Sequence, residues 1–308
     1  MPIGVLLGLL SFSIYAVGDA ITKGFAGEIS VFELQFFINL FALVPIVFAK
    51  DKSERWRDTF RLSSPVLMHG RAFLYTAATL CFTFAVTTIP FAETYSLAFL
   101  SPLFLALLAM LILKEKVVAT RWILVALSFI GVLIVVRPGF RELGIGHLLA
   151  VLCALLAASA NTILRIISNR EKQISIIAIN GAYQLVVCGT LMLIAGFTPL
   201  DWGQLARLAT IGIIGGFAQI LIIRAVAMTP ASHIGPTQYV QILWAVALGA
   251  IFFNETPDAI GYIGLAILVA SGIATVFSDG AQARITGRWS EFRARRGEPQ
   301  TPLEGPDL

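Results

Sequence analysis

The chain carries one pattern twice. Val5–Lys23 reads VLLGLLSFSIYAVGDAITK and His147–Arg165 reads HLLAVLCALLAASANTILR, so at an offset of 142 Asp19 falls on Asn161 and Lys23 on Arg165. Ile29-Ser30 matches Ile174-Ser175, Pro90 matches Pro230, and Glu115 matches Glu255, all at offsets between 140 and 145. Such self-similarity marks two related structural units, here residues 1–137 and 144–277. If each unit holds an odd number of membrane crossings, the second sits upside down relative to the first. That is the build of a secondary transporter, with its substrate site between the halves near the bilayer midplane.

Composition names the solvent. Hydrophobic residues make up 57% of the 308, charged residues 13%, and the mean hydropathy is +0.85. A soluble domain carries roughly 25% charged residues; this chain lacks the polar surface to face water and belongs in lipid. Its net charge of +4 sits in short segments between apolar runs, which suits membrane orientation and not a nucleic-acid face. Cys81, Cys153 and Cys188 each lie inside an apolar run without metal-ligand spacing, so no metal, cofactor or disulfide framework is expected. The first apolar run reaches Ala20 without a basic leader and reads as a retained span.

A helix crossing the hydrocarbon core needs about 20 mostly apolar residues. Ten such runs are present, near 3–22, 29–49, 67–88, 92–113, 119–136, 146–166, 174–196, 206–228, 232–253 and 258–277. The predicted fold class is therefore an all-α integral membrane protein of ten transmembrane helices, arranged as two inverted five-helix repeats. With the N-terminus inside, 16 of the 22 Lys and Arg residues fall on the cytoplasmic side and 4 opposite, which places both termini in the cytoplasm. Arg71 and Arg224 lie within spans. Gly212, Gly215 and Gly216 in helix 8, and Gly261, Gly264 and Gly272 in helix 10, allow close backbone approach. Pro45, Pro102 and Pro236 fall inside helices 2, 4 and 9 and invite kinks. The tail, 278–308, is basic and partly disordered, with Ile285, Trp289 and Phe292 at the spacing of a short surface helix.

These features resemble the EamA family of the drug/metabolite transporter superfamily. The resemblance rests on IPFAETYSLAFLSPLFLALLAMLILKEKV and its partner MTPASHIGPTQYVQILWAVALGAIFFNETP: the proline before helix 4, the Ser101-Pro102 pair, and Glu115 and Glu255 closing helices 4 and 9. It covers residues 3 to 277 and implies a multi-pass inner-membrane carrier that works by alternating access on a small metabolite. It further implies that helices 1, 3, 4, 6, 8 and 9 line the central cavity. One departure is the stretch Phe37-Ile38-Asn39, where many relatives carry an arginine.

Ionisable groups inside a bilayer cost from about 2.5 kcal/mol upward and usually face a cavity or a partner. Asp19 and Lys23 share a helix face and are positioned to pair; Glu33 and Glu93 lie on the same outer side and would complete an acidic vestibule. Asp19 is the deepest carboxylate and the candidate site for a coupling proton. Arg71 and Arg224, on repeat-mate helices 3 and 8, would form an anion-binding inner mouth, with His69 and His233 near the same face. Among uncharged groups, Tyr95, Asn161, Gln219 and Gln238 are the candidate contacts to a polar solute, beside Asn39, Tyr183 and Gln184. The substrate-binding set is thus Asp19, Arg71, Tyr95, Asn161, Gln219, Arg224 and Gln238. No phosphate-binding Gly-rich loop, His-Glu-x-x-His or Gly-x-Ser-x-Gly occurs, and no ATPase domain is present, so no catalytic residues are assigned. The function read from the chain is secondary transport of a small polar metabolite, such as an amino acid or a nucleotide or vitamin derivative with an anionic group, by a monomer or homodimer. The alternative is a membrane-embedded enzyme acting on lipid or prenyl substrates.

Overall fold

The structure, a computed structural model, describes residues 3–49, 62–112, 114, 119–137, 142–167, 170–229 and 234–275. Glu115, His233 and the tail lie outside them. Ten helical elements follow in order among the described residues: α1 (Ile3–Lys23), α2 (Val31–Ala49), α3 (Pro65–Thr88), α4 (Phe91–Ile112), α5 (Ala119–Val136), α6 (Ile145–Ile167), α7 (Gln173–Ala195), α8 (Trp202–Met228), α9 (Gly235–Phe253) and α10 (Ala259–Thr275). Six of them, α1, α4, α6, α7, α8 and α9, are long and apolar enough to cross a membrane. Shorter apolar stretches occur in α2, α5 and α10. The helix α3 is more polar, because Arg71, Tyr75, Thr79 and Thr83 recur along it at every fourth position.

Local chemistry sets the helix ends. Asp201 and Gln204 form a reciprocal capping box at the start of α8: Gln204 N donates to Asp201 Oδ1 at 2.8 Å, and Asp201 N donates to Gln204 Oε1 at 3.1 Å. Asn254 ends α9 in the left-handed region at φ 53°, a conformation asparagine tolerates. Proline interrupts two repeat mates. The helix α4 breaks between Ala98 and Ser101, just ahead of Pro102, and α9 opens as a 3-10 turn over Gly235–Tyr239 that contains Pro236. By contrast α2 continues through Pro45, because Gly216 on α8 leaves room for the ring; a Cβ there would lie 2.4 Å from Pro45 Cγ.

Packing repeats the sequence offset. Where α1 begins, Gly4 meets the end of α8, and a Cβ on it would lie 2.1 Å from Thr229 Oγ1. Where α6 begins, Gly146 meets the end of α3 in the same way, 2.3 Å from Thr88 Oγ1. Two small apolar clusters are related similarly. Phe25, Leu34 and Leu208 join α1, α2 and α8, while Ile167, Ile179 and Met68 join α6, α7 and α3. Three pairs across the two clusters are repeat mates: Phe25 with Ile167, Leu34 with Ile179, and Met68 with Leu208. Contacts at the helix ends fix the direction: Lys23 Nζ, at the end of α1, reaches the Val86 and Ile89 carbonyls at the end of α3, beside which α6 begins. The two helices α5 and α10 cross at Gly131 and Gly264, where a Cβ on either would press within 3 Å of the other's backbone. The largest core cluster gathers Phe91, Tyr95 and Phe99 of α4 with Tyr239 and Ile242 of α9, Val132 of α5 and Leu268 of α10.

Candidate functional site

One cavity of about 490 Å³ opens between α1, α2, α3, α7 and α8. Its polar lining comes in stripes of helical spacing: Tyr15, Asp19 and Thr22 on α1, Gln35 and Asn39 on α2, Arg71, Tyr75, Thr79 and Thr83 on α3, and Asn180 and Gln184 on α7. On α8 the lining is Gly212, Gly215, Gly216 and Gln219. Gly212 and Gly216 bring α8 against the backbone of α2, since Cβ atoms there would meet the Ile38 and Ala42 carbonyl oxygens at 2.5 and 2.6 Å. Among the described residues, Asp19 and Arg71 are the only charged ones in this lining.

Hydrogen bonds tie the stripes together. Tyr15 donates to Gln219 Oε1 at 2.8 Å, Gln184 Nε2 donates to Thr79 Oγ1 at 3.2 Å, and Gln35 Nε2 donates to Thr83 Oγ1. Asp19 Oδ2 accepts from the Tyr95 hydroxyl at 2.5 Å, and Gln241 Nε2 approaches that hydroxyl at 3.4 Å. Arg71 is 6% exposed, donates from Nη1 to Asn180 Oδ1 at 3.0 Å, and lies 5.7 Å from the centre of the Tyr75 ring. Its Nε is buried with no hydrogen-bond partner.

The sequence-derived candidates divide. Asp19, Arg71 and Gln219 share the cavity, and Tyr95 reaches it through Asp19. Asn161, Arg224 and Gln238 lie on exposed surface outside its lining. The expected pair of arginines therefore does not converge in this conformation. Arg224 stands five residues beyond Gln219, about 140° around the helix, so the two cannot face the same space. Asp19 and Lys23 do not pair either: Tyr95 takes Asp19, and Lys23 pairs with Glu255 at 3.0 Å. His69 stacks near Tyr183, with ring centres 5.6 Å apart. The residues overlooked by single-residue reading are Gln35, Tyr75, Thr79, Thr83 and Asn180. For Tyr75, Thr79 and Thr83 the signal is polar recurrence at every fourth position on α3, which a search for isolated charges passes over.

Beyond Thr22 and Val86, at the end of the bundle where α1 finishes, stand pairs of acidic and basic side chains. Lys23 is buried, donates to the Val86 and Ile89 carbonyls at 3.2 and 2.8 Å, and meets Glu255 Oε1. The other oxygen of Glu255 accepts the Phe91 amide at 2.8 Å, so a carboxylate from α9's end caps α4. His147 Nε2 lies 3.0 Å from Glu93 Oε2, Arg137 pairs with Asp258, and Arg207 Nη2 lies 2.6 Å from Glu28 Oε2 while stacking over Phe25 at 4.1 Å. Hydrogen bonds from Arg207 and Gln204 hold the exposed Glu28 carboxyl below the usual carboxylate range. Each of these four pairs joins the first half to the second, and all lie at the end where α1 finishes. The acidic vestibule expected from Glu33 and Glu93 is thus occupied: Glu93 is bound to His147, and Glu33 is buried at the start of α2.

Comparison with known proteins agrees with this architecture. The model of the EamA-like transporter family matches residues 2–137 and again 144–277. An S-adenosylmethionine uptake transporter of Rickettsia prowazekii is 23% identical over 90% of this chain and 93% of its own length. The pseudopaline exporter CntI of Pseudomonas aeruginosa is 26% identical over 88% and 95%, and a riboflavin transporter of Rhizobium johnstonii is 27% identical over 61% and 62%. A chain of known crystal structure superposes with a TM-score of 0.62 at 16% identity, covering 90% of this chain and 98% of that one, which shows the shared fold. The chain belongs to the EamA-like transporter family, one family unit in each half of a multi-pass membrane protein.

Proposed function

We propose that this protein is a secondary carrier that moves a small polar metabolite bearing an anionic group across the inner membrane by alternating access. It spans the bilayer ten times as two inverted five-helix units, with both termini cytoplasmic. The observation that carries the reading is Arg71: a buried guanidinium on a cavity wall, with one neutral partner and no carboxylate paired to it among the described residues. Such a charge is costly to hold in a low-dielectric interior unless an anion visits it. The inverted arrangement draws support from the mated contacts, Gly4 with Thr229 and Gly146 with Thr88, made at opposite ends of the bundle. The cross-half ion pairs describe the closed side of the cycle, and opening the cavity there means parting them. Relatives named for the transport of S-adenosylmethionine, pseudopaline and riboflavin support a small metabolite as the solute.

The test has two stages. Thermal-shift screening of detergent-purified protein over charged metabolites picks solutes, and liposomes then report their flux. The expected result is counterflow exchange of unchanged solute, with affinity for an anionic solute weakened about tenfold or more in Arg71→Gln and partly restored in Arg71→Lys. Chemical conversion in detergent, where no gradient exists, would instead establish the enzyme reading. Asp19 is the sole carboxylate in the cavity lining among the described residues, whereas metal-assisted chemistry on lipid or prenyl substrates draws on clustered acids.

A further inference from the structure

The cavity's two ionisable groups are of opposite kind, one acidic and one basic, and do not pair with each other. Asp19 and Arg71 both line it, yet neither enters an ion pair among the described residues. Lys23 holds the end of α1 level with the end of α3. Asp19 lies four residues before Lys23 and Arg71 fifteen before Val86. At 1.5 Å rise per residue the two side chains therefore leave their helices on the order of 15 Å apart along the bundle. Tyr15 and Tyr75 line the stretch between them, with amides from α2 and α7.

Resting on the carrier reading, we propose that the solute is dipolar: its anionic group sits at Arg71, and a cationic group, an ammonium or sulfonium, sits at Asp19. Each end of the cavity rejects the wrong sign. A purely anionic solute long enough to reach Asp19 would place like charges together in a space screened little by water, and a purely cationic one would do so at Arg71. The Tyr95 hydroxyl orients the Asp19 carboxylate without supplying a positive charge, so the counter-charge is left to the solute. The ring-lined middle accepts the carbon skeleton joining the two groups, and the separation favours solutes whose charges lie far apart over those carrying both on one carbon.

Matched probes test this on the full-length protein. The ω-amino carboxylates of increasing chain length are compared with monocarboxylates and monoamines of the same lengths. Binding is read by thermal shift and titration in detergent, and flux in liposomes. The dipolar member of each set is expected to bind about tenfold or more tighter than its singly charged counterparts, with an optimum at intermediate chain length. Asp19→Asn, which preserves an acceptor for Tyr95, should erase the advantage over the monocarboxylate; Arg71→Gln should erase the advantage over the monoamine. Equal binding of monocarboxylates and dipolar probes, an unchanged preference in Asp19→Asn, or no binding of any probe overturns the proposal. So does an Asp19→Asn variant that loses gradient-driven accumulation yet keeps the dipolar preference, since that assigns the carboxylate to a coupling proton alone. Dipolar binding without flux keeps the proposal and sinks the carrier reading.

Discussion

At the scale of single residues, the glycines of α8 show how little separates a packing role from a lining role. Gly212 and Gly216 touch the backbone of α2, whereas Gly215, between them in sequence, has open space where its Cβ would be. Gly212→Ala or Gly216→Ala should therefore destabilise the folded protein by about 1–3 kcal/mol, as overpacked sites do. Gly215→Ala should leave the thermal midpoint nearly unchanged while narrowing the cavity; a large loss of stability there would contradict the geometry. The site was legible to a similar, partial degree. Asp19, Arg71 and Gln219 were readable as polar groups within apolar spans, and all three line the cavity. What misled was treating charges singly. Helical angle alone separates Arg224 from Gln219, and spacing alone gathers Tyr75, Thr79 and Thr83 behind Arg71. Asn161 inherits its place from Asp19 by duplication and not its surroundings, because α6 presents that position to the outside.

At the scale of elements, apolar runs gave the existence and order of the helices, and local chemistry gave their ends. The run assigned to 206–228 begins at Trp202 in the structure, because the Asp201 and Gln204 capping box nucleates the first turn ahead of the continuous apolar stretch. That signature stood in the sequence as Asp-Trp-Gly-Gln. Which face of a helix turns inward was less legible, since lipid and protein core are equally apolar and hydrophobic patterning no longer points to the inside. The ion pairs at the closed end join elements no local rule connects: Lys23 finds Glu255 only after α1 and α9 have packed. Substitutions that break this pair, Lys23→Met or Glu255→Gln, should shift the resting protein toward the state open on that side. A cysteine introduced at Thr22 should then react faster with an impermeant thiol reagent added outside than in the Lys23-containing parent. An unchanged rate would mean that the remaining cross-half pairs suffice to hold the end shut.

At the scale of the whole molecule, orientation rests on the uneven spread of Lys and Arg. A cysteine at Asp201, in a background lacking Cys81, Cys153 and Cys188, should react with an impermeant reagent applied to intact cells, and one at Ser63 only after lysis. The reverse pattern would overturn the topology and place the ion-paired end in the cytoplasm. The distribution of charge in the cavity bears on something else, the response to membrane voltage. Both cavity charges, Asp19 and Arg71, belong to the first half, and the second half contributes only uncharged groups to the lining: Asn180, Gln184, Gln219 and glycines among them. If the halves rock against one another with Asp19 and Arg71 both ionised, no net charge of the described cavity wall would pass through the field, because the second half brings none and the first brings one of each sign. A full charge crossing would couple to voltage by about 2.3 kcal/mol per 100 mV. With Asp19 ionised the wall would add little to the voltage response, and a current measured during turnover would report the cargo and its co-moving ions; with Asp19 protonated, Arg71 would add its own charge to that current.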